Sequence, residues 1–194
     1  MKKFLLILIL PTLLLANDYK SSFFAGGKFV FSVIGVSDQS IAGDPAEYLG
    51  NGDFHVYGGW EYRPLSWISL SPALGFQRNG WSWNHTGYKG RISYFNTYLQ
   101  LGLGFHIRNF YISFGGACGM PFLFWGELNG ENTTKNMSQG LDYNGSGFFT
   151  VGYTIKEHYR VGLLLNSGYF QTMVNGYWLQ VSETGIGFFF TYLF

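Results

Sequence analysis

His55, His85, His106 and His158 are the chain's only imidazoles, and Cys118 is its only thiol. A zinc or hydrolytic centre would need them paired at ligand or triad spacing. No His-x-x-x-His, no HExxH and no second cysteine occurs, so no metal site is expected. Hydroxyls follow imidazoles directly at His85-Thr86 and His158-Tyr159, a spacing that gives a base no reach to a nucleophile. Cys118 cannot form an internal disulfide and reads as a small strand residue. No catalytic residue, cofactor site or metal ligand is therefore assigned. The polar side chains that stand out are instead scattered singly through apolar segments: Lys28, His55, Glu61, Gln100 and Arg160. Gathered inside a fold, they make a polar cluster whose charges must pair. Glu61 is the only acid placed well within such a segment's polar face, so Lys28 or Arg160 is its expected partner. Tyr57, Asn96, Tyr98, Tyr111 and Lys156 join the same predicted interior.

The segments that must position these residues alternate with a period of two. Eight are predicted, over about 22–36, 53–62, 66–77, 90–106, 109–120, 147–156, 159–170 and 181–194. In the first, Phe29, Phe31 and Val33 oppose Lys28, Val30 and Ser32. In the fourth, Leu99, Leu101 and Phe105 oppose Tyr98, Gln100 and His106. In the last, Ile186, Phe188, Phe190, Tyr192 and Phe194 form a wholly apolar face. Pro72 removes a ladder donor from the third segment and predicts a bulge or a shorter strand there. Connections alternate in length, with short ones near 63–66, 107–108 and 157–158. Long ones cover about 37–52, 78–89, 121–146 and 171–180.

Which face meets water follows from composition. Only 12% of residues are charged and 21% are aromatic, against roughly a quarter charged in soluble domains. Residues 1–16 read as a secretory signal peptide, with Lys2 and Lys3 ahead of an apolar run to Leu15 and a small residue, Ala16. Residues 17–194 read as one domain. No later apolar run is long enough for a spanning helix, which leaves a closed barrel as the membrane solution. Trp60, Trp67, Phe105, Phe110, Tyr159, Tyr192 and Phe194 fall near the short turns. Phe76, Trp81, Trp83, Trp125, Tyr169, Tyr177 and Trp178 fall near the long loops, giving two aromatic girdles. The expected fold is all-β: an eight-stranded antiparallel up-and-down transmembrane β-barrel behind a cleaved signal peptide. A formal charge of +1 argues against a nucleic-acid partner.

On strand count, loop asymmetry and the closing Phe188-x-Phe190-x-Tyr192-x-Phe194, the chain resembles the small eight-stranded Gram-negative outer-membrane barrels of the OmpX and OmpW type. The resemblance implies an outer-membrane location, with lipopolysaccharide and phospholipid as surroundings. It implies that Phe188, Phe190, Tyr192 and Phe194 are read by the barrel assembly machinery. It also implies that both termini face the periplasm and that the long loops are free to meet an extracellular ligand. Some members modify lipids, and one such branch carries His-x-Ser on a strand face, but no His-x-Ser occurs here. Three roles follow: a structural or surface-interaction barrel with a plugged lumen, a narrow channel for small solutes, apolar ones included, and, less favoured, a lipid-modifying enzyme. Asp142-Tyr143-Asn144-Gly145-Ser146 matches an acidic-x-Asn-x-Ser glycosylation acceptor within the predicted third long loop, and Asp38, Asp44 and Glu47 in the first offer a loose cation site.

Overall fold

Alternating apolar and small or polar residues hold the chain extended, and in a computed structural model the extended segments pair into a ring. The structure describes residues 20–36, 47–50, 52–85, 88–128, 131–132, 141–174 and 177–194. The strands are β1 Lys20–Val36, β2 Glu47–Gly50, β3 Gly52–Leu65, β4 Ile68–His85, β5 Tyr88–Ile107, β6 Phe110–Leu128, β7 Glu131–Asn132, β8 Leu141–Ile155, β9 Tyr159–Val174 and β10 Tyr177–Leu193. Eight long strands form a closed antiparallel barrel, while short β2 and β7 add to β4 and β6. Each long strand pairs with its sequence neighbour. The ring closes where β1 meets β10, from Phe24↔Leu193 to Val36↔Val181. Closure leaves no edge in this ring for another strand to pair with.

The three short turns lie together at one end. Ser66-Trp67 joins the Leu65↔Ile68 pair, Arg108-Asn109 joins Ile107↔Phe110, and residues 156–158 join Ile155↔Tyr159. Arg108, Lys156 and Glu157 take positive φ there (56°, 50° and 63°), as tight hairpin turns require. The start of β1 and the end of β10 share this end: Phe194 N–H donates to Phe23 O, and Leu193 N–H donates to His158 O.

Three predicted loops are largely strand. Residues 78–85 and 88–89 extend one hairpin to the His85↔Tyr88 pair. Residues 171–174 and 177–180 extend another to Val174↔Tyr177. Residues 121–128 and 141–146 belong to β6 and β8, which puts Asn144 in a ladder with Gly119 and Phe170 rather than in a loop. The polar, Asn- and Gly-rich composition of these segments marks where hairpins leave the apolar layer, not where the strands stop. Pro72 stays inside β4. The β3–β4 ladder keeps its register across it, from Gly59↔Ala73 to Tyr62↔Leu70, and shifts only between Tyr62 and Leu65. Residues 1–16 and the acids at 38 and 44 lie outside the described residues; Glu47 opens β2.

The wall faces outward as predicted. Phe23, Phe29, Leu99, Leu101, Leu163, Ile186 and Phe188 are exposed around the ring, Phe188 by 60%. An apolar belt of this extent has no stable place in water, so the wall is built for hydrocarbon and the chain spans a membrane. Near the short turns, ring contacts link Trp67 to Phe105, Phe110 to Tyr153, and Tyr159 through Tyr192 to Phe194. Phe76 and Tyr169 are exposed toward the other end; the side chains of Trp81, Trp83, Trp125, Tyr177 and Trp178 lie outside the described residues.

Candidate functional site

An eight-stranded barrel is just wide enough for side chains to fill it, and its lumen is where the polar residues meet. Strand alternation turns Lys28, His55, Glu61 and Arg160 inward and buries all four, with Gln100 half-buried among them. Tyr57, Asn96, Tyr98 and Tyr111 are buried with them. Lys156 is the exception: it sits exposed in the 156–158 turn, beyond the last inward position of β8.

Glu61 is wholly buried and is the hub. Arg160 donates from both terminal nitrogens to its two carboxylate oxygens, at 2.9 and 3.2 Å. Arg63 adds Nε at 2.8 Å. The Arg160 guanidinium also lies 3.8 Å from the Tyr111 ring centroid, so its remaining face is covered by π density. Of the two expected partners for Glu61, Arg160 is therefore the one that reaches it. Lys28 instead donates to Gln100 Oε1 at 2.5 Å and lies 4.9 and 5.0 Å from the Tyr57 and Phe148 ring centroids.

Other rungs are closed by hydroxyls. Tyr57 meets Thr191 at 2.6 Å, and Ser113 meets Thr150 at 2.6 Å. Between the two charged groups a cavity of about 40 Å³ remains, lined by Lys28, Ser71, Gln100, Phe148 and Arg160 among others. It has room for roughly two or three water molecules, and the Ser71 hydroxyl, which has no protein partner, is placed to bind one.

Three interior features were not legible beforehand. Asp53 and Glu183 are buried inward acids, so Glu61 is not alone. Both converge on Ser32. Each lies near the margin of its predicted segment, where alternation is a weak guide. The third is a hydrogen bond between His106 Nε2 and Ser69 Oγ at 2.9 Å, across thirty-seven residues of sequence. A base and a hydroxyl at that distance are the parts of a hydrolase, yet Ser69 is 0% exposed. A nucleophile with no surface has nothing to attack. No group of three or more His, Cys, Asp or Glu suited to a metal occurs among the described residues. His55 packs against Tyr98 and His158 bonds the Leu193 carbonyl, so the imidazoles are dispersed.

Outside the lumen, Cys118 is exposed on the apolar wall. It borders an apolar depression of about 910 Å³ whose lining takes in wall residues such as Trp60, Pro72 and Leu101 and also inward ones such as Phe24, Ala73 and Gln100.

No protein-family model matches the sequence, and no curated protein matches it. Its likeness is structural. Neisserial surface protein A superposes with a TM-score of 0.51 at 10% identity, over 90% of this chain and 99% of that one. The outer membrane protein AlkL in DMPC lipid bilayers superposes with a TM-score of 0.50 at 11% identity, over 92% of each chain. At such identity the match speaks to architecture and not to activity. The chain has the fold of the small eight-stranded outer-membrane β-barrels.

Proposed function

We propose that this chain is an integral protein of the bacterial outer membrane that acts as a closed, non-conducting barrel and presents its long hairpins at the cell surface. The observation that carries this reading is the Arg160–Glu61 pair, packed with Tyr111 across the lumen beside a cavity of about 40 Å³. At that level the bonded side chains leave a hydrated ion no path. Lipopolysaccharide and phospholipid surround the wall. The short turns and both ends of the barrel face the periplasm, behind a signal peptide at 1–16 that is removed on export. Phe188, Phe190, Tyr192 and Phe194 serve as the strand read by the assembly machinery. A surface ligand, where there is one, binds the hairpin tips. The buried Ser69 gives no support to a catalytic role.

Reconstitution into planar bilayers tests the plug: no single-channel steps are expected, and ohmic steps in the intact protein would overturn it. The wall depression favours a second reading, in which a small apolar solute leaves sideways through the wall near Gly58 and Gly116. Liposome uptake of an apolar fluorophore that rises with protein content would select it.

A further inference from the structure

Lys28 is a buried cation with no carboxylate against it. It is 7% exposed, and its ammonium lies among Gln100 Oε1 and the rings of Tyr57 and Phe148. The ion pairs among the described residues are both made by Glu61, with Arg63 and Arg160. Aromatic faces and an amide oxygen attract an ammonium but leave its charge in place. A charge buried in such surroundings calls for a counter-ion.

A second observation, independent of Lys28, lies in the cavity of about 40 Å³ that Lys28 helps to line. Two buried polar atoms of its lining residues have no partner, Ser71 Oγ and Arg160 Nε. Ser71 is 6% exposed and Arg160 3%. Each atom carries a hydrogen to donate, and an arginine nitrogen accepts nothing. Glu61 takes both terminal nitrogens of Arg160, so Nε is left over. The charged lining is Lys28, Arg160 and Glu61, two cations to one carboxylate. Spare donors and spare charge both ask for an acceptor bearing one negative charge.

We propose that Lys28, Ser71 and Arg160 bind one monatomic anion inside the lumen, chloride by size and charge. Room for two or three waters suits a halide and is short for phosphate, which also brings more than one charge. The three residues stand on β1, β4 and β9, no two of them adjacent in the ring. The anion therefore joins strands that share no ladder, across the middle of the barrel. The site does not rest on the barrel being closed, since an open lumen lined by these groups would hold the same ion.

Bromide, which scatters X-rays anomalously, tests the site on the intact barrel refolded into detergent micelles with bromide as its only halide. Crystals should show one anomalous peak in the lumen, within hydrogen-bond reach of Lys28 Nζ and Ser71 Oγ. In solution, exchanging gluconate for bromide at constant ionic strength should raise the unfolding temperature. Ser71→Ala should weaken bromide binding severalfold and Lys28→Met by at least about tenfold. Lys28→Met should still close, because it removes the buried charge along with its need for a partner; heat-modifiable gel migration checks closure in both variants. No peak at Lys28 overturns the proposal. So does a bromide effect of equal size in the parent and both variants, which is a general action of the salt. A parent barrel indifferent to bromide means that Lys28 is an uncharged amine in the lumen, and overturns it as well.

Discussion

Arg160 and Glu61, ninety-nine residues apart in sequence, meet in the lumen through two parallel hydrogen bonds of 2.9 and 3.2 Å. Neither group has water to fall back on, so the pair resists the loss of one member more than the loss of both. Glu61→Gln is expected to destabilise the barrel by about 3 kcal/mol, because a buried guanidinium loses its counter-charge. Replacing both residues by methionine should cost less than Glu61→Gln alone. Urea unfolding in detergent micelles compares the two.

The wall separates a membrane barrel from a water-soluble one. Leu99 lies midway along the exposed face and Ile107 at a short turn. In lipid bilayers, Leu99→Arg should destabilise by about 2–4 kcal/mol, and Ile107→Arg by no more than about 1 kcal/mol. Equal and small penalties at the two positions would contradict a membrane-embedded wall.

At Gly187 the seam strands approach so closely that a Cβ would lie 2.1 Å from the Phe29 carbonyl oxygen. Backbone cannot yield as a flexible side chain does. Gly187→Ala should lower stability by roughly 1–3 kcal/mol. Gly116→Ala, whose Cβ would meet nothing nearer than Ser146 O at 3.7 Å, should leave it unchanged. Thermal unfolding of the two variants side by side reads the difference.

Cys118 offers a reporter of the wall's surroundings. It is exposed, yet it faces the same way as Leu99, its ladder partner on β5. In vesicles a charged maleimide should leave it unlabelled, while a pyrene maleimide should react and emit as in an apolar medium. Rapid labelling by the charged reagent in intact vesicles would place this face in water.

Phe148 and Tyr98 bracket the Lys28 ammonium. Truncating both to alanine should enlarge the space around Lys28 yet leave the barrel silent in planar bilayers, because the Arg160–Glu61–Tyr111 layer stays in place. Conductance steps in the double variant would mean that this layer does not block the lumen unaided.

How far the sequence was legible followed the physics of each region. Lipid imposes one rule on the wall, so Phe29/Phe31 and Phe188/Phe190 could be assigned to the outside by counting residues. The same rule fixed the strand number and the turn end. Past Phe76 the chain runs Gln77-Arg78-Asn79-Gly80 with no apolar residue on either face, so the strand at 78–85 read as a loop although it pairs as far as His85↔Tyr88. Charges could be assigned to the lumen, but not partners. Whether Lys28 or Arg160 reached Glu61, and that His106 would meet Ser69, depends on cross-strand register, which local pattern does not encode.

The seam between β1 and β10 has a consequence for how the molecule is made. Its pairs join residues as far apart as Phe24 and Leu193, so the contact that completes the ring is also among the slowest to find. Until β10 arrives, β1 carries a row of unmatched amides that hydrocarbon cannot solvate. Stepwise insertion of single hairpins is therefore closed to this chain, and its biogenesis becomes a matter of timing: the early strands must be kept from committing until the last one is in hand.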